Sequence, residues 1–267
     1  MLLIGEKING MFKNVREAVQ NRDSRVIKDL ALRQMKAGAD YLDVNVGPSA
    51  PDPVTAMEWL VNAIQEAGDF PLALDSPKPE VIKAGLKLCK AKPLINSTTA
   101  EAAKLETLLP LAEEYRAKII GLAMDEKGIP AEISARLELA LQILASATEH
   151  DIPLDDIYID PLILPVGVAQ DTAPKVLEAI SEIRKLSEPS PHLILGLSNV
   201  SQRCLNRDLI NRTYLVMAMA VGLDAAILDV FDDELMESVS TAQMLLNRDI
   251  YCESFVEAFR RKKTKIY

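Results

Sequence analysis

Eight short apolar stretches recur along this sequence, and each ends in a polar residue and is followed by an amphipathic helical stretch. Successive stretches lie roughly 30 residues apart, which is the length of one strand–helix–strand step. The stretches are residues 2–9, 41–46, 72–76, 93–97, 119–124, 157–160, 193–199 and 225–229. Because their apolar residues run together instead of alternating with polar ones, we expect strands buried on both faces, as in a parallel sheet.

The intervals between these stretches carry helical periodicity. Asp52 is a candidate N-cap, and Pro53 is a candidate first helical residue. The apolar residues that follow recur at the spacing of one helix face: Ala56, Leu60, Ala63, Ile64 and Ala67. Further N-caps are expected at Asp208 and Asp232, and Gly222 is expected to end a helix.

Eight strand–helix units in 267 residues match a (β/α)8 barrel in number and length. We therefore predict an α/β fold, a single TIM barrel, that forms one domain over residues 1–267. An open doubly wound sheet is the alternative, but it usually has fewer strands and, where it binds nucleotides, a glycine-rich first turn. The sequence contains neither GxGxxG nor GxxxxGK[ST].

Charge and cysteine content narrow the function classes. A net charge of −9 argues against a nucleic-acid partner, and the basic residues 260–265 are interpreted as a solvated tail. No apolar stretch approaches the roughly 20 residues of a membrane span, and the N-terminus lacks signal-peptide features, so we expect a cytoplasmic protein without a membrane partner. Cys89, Cys204 and Cys252 form no CxxC pair and indicate packing residues, not a disulfide framework or zinc ribbon.

The polar residues that end the stretches should converge on one mouth, because the active site of such a barrel lies at the C-terminal ends of its strands. These residues are mostly carboxylates and amides, with neither His nor Lys among them: Glu6, Asn9, Asp43, Asn45, Asp75, Ser76, Asn96, Ser97, Asp160, Ser198, Asn199, Gln202 and Asp229.

Two kinds of ligand suit this set of side chains. A hard divalent cation would take oxygen ligands from the four aspartates at strand ends: Asp43, Asp75, Asp160 and Asp229. A polar heterocycle would be held at its edges, since carboxylates accept N–H bonds and amides both donate and accept. Asn96 and Asn199 favour the heterocycle. Any single Asp or Asn at a strand end is also an ordinary turn former or helix cap, although that explains poorly why seven of eight strands end this way.

Several motifs together carry a family resemblance. They are IGEKING (4–10), LDVNVGP (42–48), LALDS (72–76), INST (95–98), YIDPLILP (158–165) and GLSNVS (196–201). With these motifs in this order, nearly the whole chain resembles the methyltetrahydrofolate:corrinoid/iron-sulfur protein methyltransferases of acetogenic bacteria. It is similar, more distantly, to the folate-binding domain of cobalamin-dependent methionine synthase and to other corrinoid-protein methyltransferases.

The resemblance implies a homodimeric (β/α)8 barrel that binds the pterin of folate in its mouth. By motif, Asp75, Asn96 and Asp160 are the expected pterin-binding residues, and Asn199 is expected to reach the methyl-bearing ring nitrogen. Asn199 and Asp160 are therefore the expected catalytic residues, with no metal ligand. The remaining residues expected to line the substrate site are Gly196, Ser198, Gln202 and Arg207.

The implied reaction transfers the methyl group of 5-methyltetrahydrofolate to the Co(I) of a corrinoid, giving tetrahydrofolate and methyl-Co(III), as in acetyl-CoA metabolism. The alternative is a corrinoid-dependent O-demethylase system that exchanges methyl between a corrinoid protein and tetrahydrofolate. The sequence has no DxHxxG motif of a cobalamin-binding module, so the corrinoid is expected on a partner protein. Dihydropteroate synthase is a rival, but its family carries Lys and Arg where this chain has Ser198-Asn199-Val200. A metal-dependent enzyme and a pterin-binding protein without turnover are further rivals.

Overall fold

The structure is a computed structural model, and it describes residues 1–48 and 50–248. Cys252 and the basic segment 260–265 lie outside the described residues, so the expectations about them stay predictions. No helix in the described part of the chain combines the length and the apolar composition needed to cross a membrane.

Eight parallel strands close into a barrel in which each strand pairs with its neighbours in sequence and β8 pairs with β1. The strands are β1 (Leu2–Asn9), β2 (Tyr41–Asn45), β3 (Leu72–Asp75), β4 (Leu94–Thr99), β5 (Lys118–Leu122), β6 (Ile157–Asp160), β7 (His192–Gly196) and β8 (Ala225–Leu228). The predicted TIM barrel is confirmed, and every predicted strand lies within about three residues of its observed position.

Helices connect the strands around the outside of the barrel. Within the described residues they are α1 (Lys13–Asn21), α2 (Ser24–Ala37), α3 (Pro53–Gln65), α4 (Pro79–Leu86), α5 (Ala102–Glu114), α6 (Ile133–Glu149), α7 (Thr172–Ile183), α8 (Arg207–Val221) and α9 (Asp233–Leu245). Two helices, α1 and α2, connect β1 to β2, whereas each later connection contains one α-helix. Short 3-10 helices span Leu154–Asp156 and Leu197–Asn199.

The predicted helix ends are mostly confirmed. The side chain of Asp52 accepts a hydrogen bond from the Thr55 N–H at the start of α3, and Asp232 likewise caps α9. Gly222 follows α8 with a φ of 122°, which favours glycine. The prediction for Asp208 is wrong, because α8 begins one residue earlier and places Asp208 in its first turn, where a carboxylate favours the helix dipole.

Two apolar layers build the core. One lies between the sheet and the surrounding helices, and the other fills the barrel with one buried side chain from each strand: Ile4, Tyr41, Ala73, Leu94, Ile120, Tyr158, Ile194 and Ala225. Side chains along a strand alternate between its two faces, so residues two positions further on also face the interior. This next interior layer consists of Glu6, Asp43, Asp75, Asn96, Leu122, Asp160, Gly196 and Ile227. The polar residues at the mouth thus rest on a packed apolar layer.

The loops that follow β1 and β2 contact each other through their backbones. A Cβ atom built on Gly10 would lie 2.2 Å from the carbonyl oxygen of Val46 and 2.9 Å from the Cα of Gly47. The Gly10 N–H also donates to the Asn45 carbonyl over 2.8 Å. Glycine at position 10 therefore permits the two strand ends to approach each other.

Replacing Gly10 by Ala should lower the free energy of unfolding by about 1–3 kcal/mol, because backbone atoms must move to admit the methyl group. Urea unfolding followed by circular dichroism measures this change. Gly167→Ala is the matched control, since its Cβ would lie 3.3 Å from the Cys204 Sγ, where a small shift suffices. Equal unfolding midpoints for the two variants would contradict this account of the Gly10 contact.

Candidate active site at the barrel mouth

Two hydrogen-bonded pairs link β2 to β3 and β4 at the mouth. Asn96 Nδ2 donates to Asp43 Oδ1 over 2.9 Å, and Asp43 is 3% exposed. Asn45 Nδ2 donates to Asp75 Oδ2 over 2.6 Å, and the Gly47 N–H fixes the same Asn45 side chain by donating to its Oδ1 over 2.7 Å. These bonds set the orientation of both carboxyl groups before any ligand binds.

Burial raises the pKa values of the carboxyl groups in this layer. Burial raises the pKa of Asp43 well above its usual value, and the nearby charges of Asp75 and Glu6 raise it further, against the opposing hydrogen bond from Asn96. Burial also raises the pKa of Asp75, while the bond from Asn45 opposes this rise. A ligand that donates N–H groups to these oxygens would favour the ionised forms and thereby gain affinity.

Asp160 ends β6 on the same interior layer. Burial raises the pKa of this carboxyl group to about 6, against three opposing influences, of which two are backbone hydrogen bonds and the third is the charge of Arg136. The Leu162 N–H donates to Oδ1 over 2.7 Å, and the Gly196 N–H lies 3.4 Å from Oδ2. A carboxyl group that titrates near neutral pH can act either as a hydrogen-bond acceptor or as a proton donor.

The 3-10 turn after β7 carries Ser198 and Asn199. The Ser198 hydroxyl lies 3.0 and 2.8 Å from the two carboxylate oxygens of Glu6 on β1. Asn199 is exposed, and a Cβ atom built on Gly196 would lie 3.0 Å from its Nδ2. Glycine at position 196 therefore leaves room for the Asn199 amide directly beside the backbone N–H that faces Asp160.

Two further expected site residues lie near this turn. Arg207, the first residue of α8, donates from Nη2 to the Ser198 carbonyl and from Nε to the Ser201 hydroxyl, each over 3.2 Å. Gln202 is exposed, and its backbone N–H donates to the Asn199 carbonyl over 3.2 Å. The structure therefore brings Arg207 against the turn, whereas Gln202 contacts it through the main chain.

Lys7 also lies at the mouth, although it is not among the polar residues at the strand ends that the sequence singles out. Its Nζ lies 2.6 Å from Asp229 Oδ2 and 3.9 Å from Glu6 Oε1. Regular alternation would turn Lys7 away from Glu6, but the pairing register of β1 and β2 shifts between Gly5 and Ile8. The sequence shows the adjacent Glu6 and Lys7 but gives no sign of this irregularity.

Several other polar strand ends are turn formers. The Asn9 side chain accepts a bond from the Met11 N–H, and the Ser76 hydroxyl accepts one from the Lys78 N–H. Asp229 accepts a bond from the Phe231 N–H in addition to its contact with Lys7. In residues 1–48 and 50–248, no group of three or more His, Cys, Asp or Glu side chains is arranged to hold a metal ion.

A family model described as pterin binding enzyme matches residues 12–229, which include every interior residue of this site except Glu6. The chain belongs to the pterin-binding enzyme family. The family resemblance seen in the sequence motifs is thereby confirmed. The polar layer above the apolar floor offers hydrogen-bond acceptors, and the edge of a pterin ring carries N–H donors.

Two named relatives show where similar sequences occur. The chain is 32% identical over 265 residues to a methylcorrinoid:tetrahydrofolate methyltransferase of Eubacterium limosum, covering 98% of this chain and 97% of the relative. It is 30% identical over 241 residues to a methionine synthase of Mycobacterium tuberculosis, covering 85% of this chain and 20% of that protein. The chain therefore spans nearly the full length of the first relative and about a fifth of the second.

Solved structures of dihydropteroate synthases share the fold. A Yersinia pestis enzyme superposes with a TM-score of 0.66 at 15% identity, covering 92% of this chain and 94% of the other. A Coxiella burnetii dihydropteroate synthase in complex with pteroic acid gives a TM-score of 0.64, also at 15% identity, covering 91% and 94% of the two chains. At this identity the likeness shows the barrel fold alone.

The raised pKa of Asp160 makes a prediction about stability. Its folded pKa of about 6 exceeds the ordinary 3.8, so its contribution to stability is complete below the ordinary value and is lost as pH rises through about 6. Between about pH 5 and pH 7 the wild-type chain should lose about 1 kcal/mol more free energy of unfolding than Asp160→Asn, which does not titrate there. Urea unfolding at the two pH values measures this difference, and parallel pH curves for the two proteins would refute it.

Proposed function

We propose that this pterin-binding enzyme is a methyltransferase that moves a methyl group between 5-methyltetrahydrofolate and the cobalt of a corrinoid carried by a partner protein. The observation that carries this proposal is the 32% identity to a methylcorrinoid:tetrahydrofolate methyltransferase across 98% of the chain. The site supports it, because Asp75, Asn96 and Asp160 occupy one interior layer and Asn199 lies beside that layer.

The pterin would be held at its N–H edge by residues of β3, β4 and β6. Asp75 uses Oδ2 for its bond with Asn45, and in the described part of the chain its Oδ1 has no hydrogen-bond partner and is available to a ligand. The Asn96 amide nitrogen is committed to Asp43, so its oxygen remains to accept an N–H. Asp160 supplies a further acceptor, and burial makes each of these bonds stronger than it would be in water.

The difficult part of the reaction is the departure of the ring nitrogen. The bond between N5 and the methyl carbon breaks with its electron pair left on N5, which gains a proton, while Co(I) supplies the pair for the new cobalt–carbon bond and becomes Co(III). Proton assistance at such a leaving group is typically worth about 10²–10⁴-fold. We propose that the oxygen of the Asn199 amide accepts a hydrogen bond from the protonated nitrogen, with the Asp160 carboxyl group nearby, so that stabilisation is strongest in the transition state.

The direction of transfer has two candidates. Transfer from 5-methyltetrahydrofolate to Co(I) follows from the motif resemblance, whereas the name of the Eubacterium limosum relative makes methylcorrinoid the donor.

We further propose that the chain forms one barrel domain, works in the cytoplasm and assembles into a homodimer. Light scattering on the purified protein tests the homodimer. The exposed apolar side chains of Leu209, Val216 and Met217 on α8 support an interface at that helix.

The first experiment mixes the purified protein anaerobically with 5-methyltetrahydrofolate and chemically reduced cob(I)alamin. Loss of the Co(I) absorbance with appearance of methyl-Co(III) reports the forward reaction, and methylcob(III)alamin with tetrahydrofolate reports the reverse one. Transfer in either direction supports the proposal. A protein that binds folate but transfers no methyl group to or from any corrinoid, free or protein-bound, would be a pterin-binding protein without turnover.

Replacing Asn199 by Ala should lower the methyl-transfer rate by about 10²-fold or more while folate affinity changes little, because its bond forms mainly in the transition state. Single-turnover kinetics at saturating folate measures the rate. Asn62→Ala, at an exposed position on α3, is the matched control and should keep the wild-type rate. An Asn199→Ala variant that transfers methyl at the wild-type rate would remove this residue from the mechanism.

Replacing Asp75 by Ala should have the opposite signature and weaken folate binding about ten-fold to a hundred-fold. The pterin edge then lacks a buried acceptor, which costs about 1–3 kcal/mol. Isothermal titration with 5-methyltetrahydrofolate measures the affinity, and Asp69→Ala, an exposed position whose partner is Lys90, is the control. Normal affinity in the Asp75→Ala variant would contradict the proposed orientation of the pterin.

A further inference from the structure

Arg136 is a buried cation that lies outside the candidate site. It belongs to α6 and is 1% exposed. By volume it is the largest fully buried side chain among the described residues. Its guanidinium donates to three backbone carbonyls, those of Pro130 over 2.9 Å, Leu162 over 3.1 Å, and Pro161. Among the described residues no carboxylate lies within ion-pair distance of it. Burying a charge with no opposite charge beside it costs folding free energy, so a functional reason for this arginine is worth seeking.

The carbonyls that Arg136 contacts belong to the two loops beside Asp160. Pro130 precedes α6, and Pro161 and Leu162 are the first two residues after the Asp160 carboxyl group. Leu162 has a φ of 64°, a left-handed conformation that is unfavourable for a leucine. The Leu162 N–H donates to Asp160 Oδ1, and the Leu162 carbonyl accepts from Arg136. The Asp160 carboxyl group and the Arg136 guanidinium therefore hold the backbone of Leu162 from both ends.

We propose that Arg136 is a positioning residue for Asp160, which holds residues 161–162 in the conformation that presents the Asp160 carboxylate to the pterin and which favours that carboxylate by its charge. This inference rests on the proposed function, because it gives Asp160 the role of a pterin acceptor. In the part of the chain that the structure describes, the hydrogen bonds of Arg136 go to backbone carbonyls and not to the side chains of the mouth. Arg136 acts through the backbone of Leu162 and through its electric field.

The charges around Asp160 define the expected effect. Arg136 lowers the pKa of Asp160 against the larger effect of burial, and the charge of Asp160 in turn raises the pKa of Tyr214 on α8, whose hydroxyl donates to the Ala173 carbonyl. The other direct contacts of the Asp160 carboxylate are the N–H groups of Leu162 and Gly196. Arg136 is thus the charged side chain that favours the ionised acceptor.

The test measures the affinity for 5-methyltetrahydrofolate from about pH 5 to pH 8.5 in the wild type and in Arg136→Met, which removes the charge. Loss of the charge should move the acidic fall in affinity upward by about one pH unit, so that the variant binds about five-fold more weakly at pH 6 and nearly normally at pH 8.5. Arg136→Lys should restore the wild-type midpoint. The titrations of Asp43 and Asp75 are common to all variants and cancel in the comparison.

Controls separate this role from a merely structural one. Arg184→Met removes another arginine that donates to a backbone carbonyl, that of Gly222, away from the site, and should leave the pH profile unchanged. If Arg136→Met does not fold, Arg136→Gln keeps a donor without the charge and should show the same upward shift. An affinity that is lowered equally at every pH, or a midpoint that stays at the wild-type value, would overturn the proposal. Absence of folate binding by the wild type would instead contradict the proposed function.

Discussion

Alternation of side chains along eight parallel strands determines where the polar residues of this barrel lie. On β2, Tyr41 fills the barrel interior, and Asp43 two residues later faces the same interior one layer higher. The same step takes β3 from Ala73 to Asp75 and β6 from Tyr158 to Asp160. A register error of one residue would turn these carboxyl groups toward the helix layer. The apolar layer and the polar layer therefore require the same strand register.

The packed apolar floor also keeps water away from the carboxyl groups, and this burial is the largest cause of their raised pKa values.

Burial that costs folding stability favours ligand binding in the same place. Asp43 and Asp75 repel each other, and the amides of Asn96 and Asn45 compensate only part of the lost hydration. N–H donors of a ligand would supply the missing stabilisation, and they would do so in a dry site where each bond is strong. On the proposed function, a mouth built in this way would favour a heterocycle with N–H donors along one edge. It is also oriented before binding, since the amide partners already fix the carboxylate rotamers.

The strands and the polar layer were predictable from sequence because both follow local periodicity. The motifs then singled out which polar strand ends to expect in the site. Contacts that depend on closure of the barrel were not predictable in this way. The bond between Ser198 and Glu6 joins residues 192 positions apart and forms only when closure of the barrel places β1 and β7 on either side of β8. Lys7 reaches Asp229 because the pairing register shifts within β1, and Arg136 appears in the sequence as one more polar residue on an amphipathic helix. Asn9 shows the converse difficulty, since the same residue type also serves as a turn former.

The mouth is asymmetric, and the asymmetry bears on which end of a bound pterin reacts. Side-chain acceptors lie on β2, β3, β4 and β6, whereas β7 ends in Gly196 and the turn that carries the exposed Asn199. A flat ring held at its N–H edge by Asp75 and Asn96 therefore extends across the barrel toward that turn. A methyl group on the far side of the ring would then face the open mouth, because the apolar layer fills the barrel beneath it. On the proposed function, the cobalt of the corrinoid would therefore approach from outside, and the exposed Asn199 would lie beside the reacting nitrogen.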